Sequence, residues 1–322
     1  MLEHSVRGVL HATPPFDFAK SLAFVCSFPP TAGEQDVGAG TLTKAIIVRG
    51  RPILFELTAT RDATTLAYAL HAMAPVDDVT RDTALRRIRF QLSLDDDLAP
   101  FHALARDDAS FAPVLRRQHG LHHPKFPSAF EIAVWSVLTQ RMPIAAARKV
   151  KRALVEKLGA QIGEHRAFPE ASTLAAARED EVAAIVRHTR KAAALVAIAN
   201  AFASVDADAY LATAPFDEAE AWLRALPLLG PWSTAFILFR GLGRMPRLAI
   251  EGGPIADAAR RAYGAISDRE VLAISERYGE WCGYWALYLR AGSSESAQRA
   301  ERASTRRTAS PAPSSAPAGG GR

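Results

Sequence analysis

The sequence predicts an α+β fold, in which a small N-terminal α/β domain with an antiparallel sheet precedes an all-helical domain. A β-hairpin pattern occupies residues 43–60, in the first third of the chain. From about residue 113 onward, nearly every segment carries the capping signals and apolar spacing of short helices. We therefore expect an α+β domain over 1–112, a helical domain over 113–292 and a tail over 293–322.

The N-terminal domain contains one well-defined hairpin and several less specific segments. In TKAIIVRGRPILFELTAT (43–60), a turn at 49–52 separates two apolar runs, and the second run alternates apolar and polar residues. Residues 19–30 fit a helix or a strand, because periodicity does not distinguish the two here. Residues 65–75 and 80–92 have the spacing of helices.

The helical domain has recognisable starts and ends. Two Ser-x-x-Glu capping boxes open helices in this region: Ser128 with Glu131, and Ser267 with Glu270. Pro143 suits the first turn of a helix that ends at Gly159. One face of that helix is apolar and is formed by Ile144, Ala147, Val150, Leu154 and Leu158.

Composition excludes several classes of protein, but the net charge does not decide whether the protein binds nucleic acid. The net charge is +5, but the Ser-, Pro- and Ala-rich tail contributes +3, so the folded part carries only +2. The tail should be disordered. Cys26 and Cys282 are the only cysteines, which indicates neither a disulfide framework nor a zinc site. Without an apolar run of about 18 residues or a secretory signal, we expect a cytoplasmic, nucleoid-associated monomer.

The stretch LPLLGPWSTAFILFRGLG (226–243) predicts two helices joined by a tight turn. The second helix begins at Pro231, where the missing N–H costs no hydrogen bond, and Gly230 permits a close approach. Backbone N–H groups at such a helix start favour an anion, so a DNA phosphate would fit. Taken alone, the turn is more simply explained as an ordinary packing corner between helices.

Four segments together resemble the helix-hairpin-helix DNA glycosylases, in the inducible 3-methyladenine glycosylase branch. Residues 226–243 are similar to the hairpin of that family, and 128–159 to its first conserved helix pair. Residues 14–25 look like the start of the N-terminal domain of the branch, and 277–290 like its closing helix. The resemblance covers nearly the whole chain except the tail.

The resemblance implies a role for each part of the site. The phosphate-binding hairpin would be formed by Leu226, Leu228, Leu229, Gly230, Trp232 and Ser233. The wedge that fills the gap left by a flipped base would come from Gln140, Arg141 or Met142. The base pocket would be lined by Trp232, Phe236 and Tyr284. An N-alkylated purine is cationic, so electron-rich aromatic faces attract it. The alternatives are a plain surface loop for the wedge and a core position for both Trp232 and Phe236.

Charged and histidine side chains give weaker signals. Arg148, Lys149, Lys151 and Arg152 lie close together on the polar side of one helix, where they would follow a phosphate backbone or form a solvated face. His122 and His123 lack a Cys or carboxylate at metal-ligand spacing, so we expect a loop near DNA and no metal site.

The carboxylate that the family uses is missing from its usual position. Alignment on ARRAYG (259–264) places Gly252 where the family has Asp. Glu251 is the nearest acid, followed by Asp257, which is expected one turn into the next helix. We expect Glu251 to stabilise the positive charge that develops on the sugar, with Asp257 as the alternative.

Further departures concern the hairpin and the closing helix. Leu228 replaces the first hairpin glycine, Cys282 replaces a frequent Arg, and Arg290 replaces a pocket Trp of one member type. The missing Asp favours alkylated bases as substrates, because an alkylated base is already a good leaving group and a weakened acid would suffice for it.

The resemblance thus predicts a monofunctional glycosylase that excises alkylated purines from damaged double-stranded DNA. Thr139 and Leu228 occupy the positions where bifunctional relatives keep a Schiff-base Lys. No organic cofactor is implied, although carbonyls of Leu226, Leu229 or their neighbours would suit a monovalent cation. The rival hypotheses are a non-catalytic lesion-binding protein and a helical interaction protein without a DNA role.

Overall fold

A five-stranded antiparallel sheet forms the N-terminal part of the protein, in the strand order β1-β5-β4-β3-β2. A computed structural model describes residues 3–26, 29–31, 34–245 and 253–293. The strands are β1 His4–His11, β2 Gln35–Gly38, β3 Thr41–Val48, β4 Arg51–Ala59 and β5 Thr65–Ala72. Helices α1 (Phe18–Cys26) and α2 (Asp78–Leu92) pack on one face of this sheet. The α+β class with an antiparallel sheet is confirmed.

The predicted hairpin is the β3–β4 pair. Ile46 lies opposite Ile53, and the two turn residues Arg49 and Gly50 have φ of 53° and 73°. Positive φ at both positions is typical of a turn that matches the right-handed twist of the strands. The alternating apolar residues of β4 then fill the core between sheet and helices.

One of the two predicted N-terminal helices is wrong, and the undecided segment is resolved. Residues 65–75 do not form the predicted helix, because β5 pairs with β1 on one side and with β4 on the other. Pairing on both edges outweighs the helical spacing of an alanine-rich stretch. The ambiguous segment 19–30 is helical up to Cys26 as part of α1, and the predicted helix over 80–92 lies within α2.

Helices dominate the rest of the described chain. They are α3 Ala99–Arg106, α4 Ala112–Gln118, α5 Ala129–Leu138, α6 Ile144–Leu158, α7 Ala171–Ala176, α8 Glu179–Val186, α9 Thr189–Ser204, α10 Ala207–Thr213, α11 Phe216–Arg224, α12 Pro231–Phe236, α13 Pro254–Tyr263, α14 Asp268–Arg277 and α15 over 282–293. All ten residues of α5 are buried, so this helix is the centre of the helical core.

The helical region is not entirely helical. Strands β6 (Ala160–Ile162) and β7 (His165–Ala167) form a small hairpin after α6, and its turn contains Gly163 at φ 58°. Ile162 and Ala167 pack against apolar residues on the second face of the large sheet. This contact covers sheet surface that α1 and α2 leave open.

The two capping boxes differ in detail. Ser267 and Glu270 form a complete box at the start of α14. Ser128 accepts a bond from the Glu131 N–H, but the Glu131 carboxylate binds Lys151 instead of closing the box. Lys151 is 1% exposed and also binds Glu34, so it does not belong to the predicted basic stripe on α6.

A second, aromatic core surrounds α15. Phe101 and Phe111, from α3 and the start of α4, pack there with Tyr278 and Trp285. The division of the chain at 112/113 stays a prediction, and residues on both sides of it share this cluster. Among the described helices, none alone is long and apolar enough to cross a membrane, and only α9 with α10, bent by 77°, reaches that length and composition as a pair.

Candidate functional site

The turn between α11 and α12 is an exposed helical hairpin. α11 ends at Arg224, and α12 begins at Pro231 after the N-cap residue Gly230. A Cβ atom added at Gly230 would meet nothing within 4 Å, and φ is −81°, so glycine is not required by the protein itself. The space beside the N-cap of α12 is therefore open, and an anion has room to approach this helix start.

Leu228 has the strained backbone of this hairpin. Its φ is 63°, in the left-handed region where glycine is preferred, and the resemblance predicts glycine at this position. The carbonyl of Leu228 accepts a hydrogen bond from the Gln140 side-chain amide. That bond joins the hairpin to the turn between α5 and α6.

An aromatic pair stands immediately after the hairpin. Trp232 is 60% exposed, and its ring stacks on Phe236 at 5.1 Å between centroids with 12° between the planes. The i, i+4 spacing on α12 places both rings on one face. Trp232 is therefore not a core residue, and its free face is available to a planar ligand.

The predicted wedge residues form the turn at 139–142. Arg141 is exposed with φ 51°, whereas Met142 is half-buried against the helical core. The Gln140 side chain is committed to the hairpin. Of the three wedge candidates, Arg141 is the one that projects into solvent.

A buried lysine that the sequence analysis did not single out forms hydrogen bonds to the backbone of this turn. Lys191, near the start of α9, donates to the carbonyls of Leu138 and Gln140, both at 2.8 Å. It is 5% exposed, and burial lowers its pKa. Nothing in the local pattern of α9 separates it from an ordinary surface lysine.

Tyr284 lies in the aromatic core and does not line an open pocket. It is 2% exposed, its hydroxyl donates to Asp96, and it accepts a bond from the His123 N–H. Burial, reinforced by Asp96, raises its pKa well above the usual value. The family position of Tyr284 is thus occupied by a core residue in this chain.

A buried cationic group follows α12. The segment Ile237–Gly241 is a π-helical turn, and within it Arg240 donates to Nε2 of His123, which stacks on Phe239. Burial lowers the pKa of His123 well below its usual value, and the positive charge of Arg240 lowers it further. His123 is therefore neutral and accepts the hydrogen bond. His122 is also buried and binds the carbonyls of Ser93 and Pro15, so both histidines are interior rather than exposed loop residues.

Of the two candidate catalytic carboxylates, only Asp257 lies within the described residues. Glu251 and Gly252 lie outside the described residues. Asp257 lies in the first turn of α13, with its side chain 65% exposed and paired to Arg260 at 3.3 Å. The described geometry places Asp257 on the surface and in an ion pair.

Metal binding finds little support in the described part of the chain. No group of three or more His, Cys, Asp or Glu side chains there is arranged to hold a metal ion. The Leu226 carbonyl accepts from the Leu229 N–H, and Leu228 accepts from Gln140. The cation at the hairpin stays a prediction.

Known proteins resemble this chain over most of its length. A DNA-3-methyladenine glycosylase from Bacillus subtilis (strain 168) is 26% identical over 304 residues, which span 90% of this chain and 98% of that protein. The structure of a 3-methyladenine DNA-glycosylase from Archaeoglobus fulgidus has a TM-score of 0.71 at 19% identity, over 88% of this chain and 97% of that one. An 8-oxoguanine glycosylase/lyase from Clostridium acetobutylicum has a TM-score of 0.64 at 14% identity, over 88% and 95%.

The segment that carries the hairpin, the wedge turn and the aromatic pair also matches a family model. That model describes the HhH-GPD superfamily of base excision DNA repair proteins, and it covers residues 134–283. The Archaeoglobus fulgidus structure shares the fold over 88% of this chain. Residues 134–283 therefore match an HhH-GPD domain of the base excision DNA repair superfamily.

Proposed function

We propose that this protein is a monofunctional DNA glycosylase that releases alkylated purines of the 3-methyladenine type from double-stranded DNA. The observation that carries the proposal is the exposed Trp232–Phe236 stack directly after a helical hairpin. The match of residues 134–283 to a base excision repair family and the similarity to the Bacillus subtilis enzyme support the same reaction class.

DNA binding would use the hairpin and the exposed face of α6. Main-chain N–H groups at the start of α12 would bind one phosphate, with no side-chain charge needed. Arg148, Lys149 and Arg152 are exposed on α6 and would contact the backbone further along.

Base eversion would use the wedge turn and the aromatic pair. A stacked base is inaccessible, so it must leave the helix before its glycosidic bond is cut. Arg141 would enter the gap, and the everted base would stack on the free face of Trp232. A cationic alkylated purine gains a cation–π attraction there that a neutral purine lacks.

Bond cleavage would follow from the charge distribution. The C1′–N bond breaks with its electron pair moving to the purine, and water adds to C1′ and loses a proton. The positive charge on an N-alkylated purine makes it a good leaving group. Glu251 would stabilise the developing charge on the sugar, with Asp257 as the alternative.

Base release from defined substrates tests the proposal. Duplexes that contain 3-methyladenine or 7-methylguanine should lose the base and keep an intact strand, while 8-oxoguanine and undamaged duplexes should not react. Glu251→Gln should abolish release, and Asp257→Asn should leave it within about threefold. Loss of release in Asp257→Asn alone would assign the role to Asp257, and strand cleavage at the abasic site would contradict the monofunctional assignment.

A non-catalytic lesion-binding protein is the second candidate. Gly252, where the family carries Asp, is the observation that favours it. Tight binding to alkylated or abasic duplex without release of any base would establish this function and refute the enzyme.

A further inference from the structure

Lys191 is a buried cation whose two hydrogen bonds go to carbonyl oxygens of one turn. Its ammonium donates to Leu138 and to Gln140 at 2.8 Å each, and the residue is 5% exposed. Leu138 is the last residue of α5, and Gln140 belongs to the turn that carries Arg141. A buried lysine is costly unless its donors are satisfied, so this arrangement is specific.

The position of Lys191 explains why it is stable there. The last carbonyls of a helix have no partners within the helix, and the negative end of the helix dipole lies at them. An ammonium that binds these oxygens satisfies them and interacts favourably with the dipole. Lys191 thus caps α5 from a different helix.

A chain of contacts leads from this cap to the hairpin. Lys191 binds the main-chain carbonyl of Gln140, and the Gln140 side chain donates to the carbonyl of Leu228. Leu228 is the left-handed residue of the hairpin, two residues before Gly230. Three elements that are distant in sequence are therefore joined by three hydrogen bonds, all of them to backbone oxygens.

Arg141 lies next to these hydrogen bonds in the turn. It follows Gln140 directly and is itself in the left-handed conformation, with φ 51°. A non-glycine residue persists in that region only when its surroundings hold it there. The bonds on either side of Gln140 provide that restraint.

We propose that Lys191 is a positioning residue that fixes the Arg141 wedge in register with the phosphate-binding hairpin. Its role in base eversion rests on the proposed function. The restraint itself is independent of catalysis, because every contact in it lies within the protein.

Local flexibility provides the first test, and it requires no DNA. In Lys191→Met, the amides of residues 140–142 should exchange with deuterium at least tenfold faster than in the wild type. The matched control is Lys157→Met, which removes an exposed lysine from the last turn of α6. Unchanged exchange at 140–142 in Lys191→Met would overturn the proposal.

Base eversion provides the second test. With 2-aminopurine next to a 7-methylguanine, eversion should raise the fluorescence on binding of wild type and Lys157→Met, and much less on binding of Lys191→Met. Single-turnover base release should fall about 100-fold, as expected when reacting groups are misplaced by about 1 Å, while the Kd for duplex changes less than threefold. Lys191→Arg, which retains donors, should recover part of the eversion signal.

Two further outcomes, a Lys191→Met variant that does not fold and a wild type without activity, still allow the proposal to be tested. If Lys191→Met does not fold, Gln140→Leu removes the next bond in the chain without leaving a buried charge site, and it should show the same loss of eversion. Full eversion in a folded Gln140→Leu would overturn the proposal. If the wild type releases no base, the proposed function fails, whereas the exchange experiment still decides whether Lys191 holds the turn.

Discussion

Trp232 exposes 60% of its surface, although tryptophan is among the largest apolar side chains. Its ring already stacks on Phe236, which leaves one face towards solvent. An exposed aromatic plane costs free energy in water that a stacked nucleobase would recover. At the scale of single residues, Trp232 is therefore the clearest sign of a ligand.

Replacing Trp232 by Ala separates binding from stability. The free energy of unfolding should fall by no more than about 1.5 kcal/mol, since the side chain is exposed and loses only the stack on Phe236. Binding to a duplex that presents an everted alkylated base should weaken about 5- to 150-fold, the equivalent of 1–3 kcal/mol per stacked base.

The control for this change is Leu272→Ala on α14, where the residue is 44% exposed. It should leave DNA affinity unchanged. Urea denaturation and titration of labelled duplex provide both quantities. An equal loss of affinity in the two variants would show that Trp232 has no special contact with DNA.

Leu228 shows how far residue-level prediction reaches. The sequence marks it as the position where a hairpin glycine is missing, and the structure assigns it φ 63°. Leu228→Gly and Leu228→Ala remove nearly the same side-chain packing, but only glycine is free of the left-handed strain. Leu228→Gly should be more stable than Leu228→Ala by about 1 kcal/mol.

Leu226, in the same turn, is the matched position without positive φ. There the order should reverse, because glycine loses more conformational entropy than alanine on folding. Thermal denaturation of the four variants measures both differences. Equal stability of Leu228→Gly and Leu228→Ala would show that the left-handed conformation carries no strain.

At the scale of elements, the cations of α6 lie in two different environments, one exposed and one buried. Arg148, Lys149 and Arg152 are exposed, whereas Lys151 is 1% exposed and bound to Glu34 and Glu131. The sequence shows four cations close together and cannot distinguish them, because the partner Glu34 lies 117 residues earlier, in the N-terminal part of the protein.

The salt dependence of DNA binding tests the exposed cations of α6. Each of Arg148→Gln, Lys149→Gln and Arg152→Gln should reduce the slope of log affinity against log salt by about 0.9 if that residue neutralises one phosphate. Arg178→Gln is the control, since Arg178 is exposed but paired to Asp180 on α8. Unchanged slopes in all three α6 variants would remove this face from the DNA interface.

Local signals predicted the elements that depend on local chemistry. The β3–β4 hairpin, the complete capping box of α14 and the α11–α12 turn follow from residues within a few positions of one another. Strand β5 could not be predicted in this way, because it is defined by two neighbouring strands rather than by its own pattern.

The residues of the candidate site show the same contrast between what nearby sequence can predict and what depends on distant contacts. The exposure of Trp232 agrees with the family position, whereas the burial of Tyr284 depends on Asp96 and on the aromatic core around α15. Lys191 has no sequence signal, because its role depends on the carbonyls that it meets on a helix 50 residues earlier.

At the scale of the whole molecule, a buried ionic cluster joins the N-terminal part to the helical part. Lys151 of α6 binds Glu131 of α5 at 2.7 Å and Glu34, which precedes β2, at 2.6 Å. The nearby positive charges of Lys151 and Lys44 lower the pKa of Glu131 despite its burial. The stability from this carboxylate is present above pH 4.5 and is lost as the pH falls through its depressed pKa.

Lys151→Met should reveal the energy of this cluster. It removes the closest cation from the buried Glu131 and the partly buried Glu34, and leaves only Lys44, 3.9 Å from Glu34. The free energy of unfolding at pH 7 should therefore fall by about 3–5 kcal/mol. The deficit relative to the wild type should shrink towards pH 4, because burial then raises the carboxylate pKa and protonation relieves the uncompensated charge.

The control for Lys151→Met is Lys149→Met on the same helix, which should change stability by less than about 0.5 kcal/mol. Urea denaturation at pH 7, 5.5 and 4.5 measures all three proteins. A deficit that stays constant across this range would contradict the role of the carboxylates.

The most direct test of the central claim is single-turnover release of 7-methylguanine from duplex DNA by the wild type and by Trp232→Ala. Our account predicts that the wild type releases the base and leaves the strand intact, and that Trp232→Ala is slower by at least tenfold at saturating enzyme. Release at the same rate by both proteins would contradict the claim that the base is received on the exposed face of Trp232.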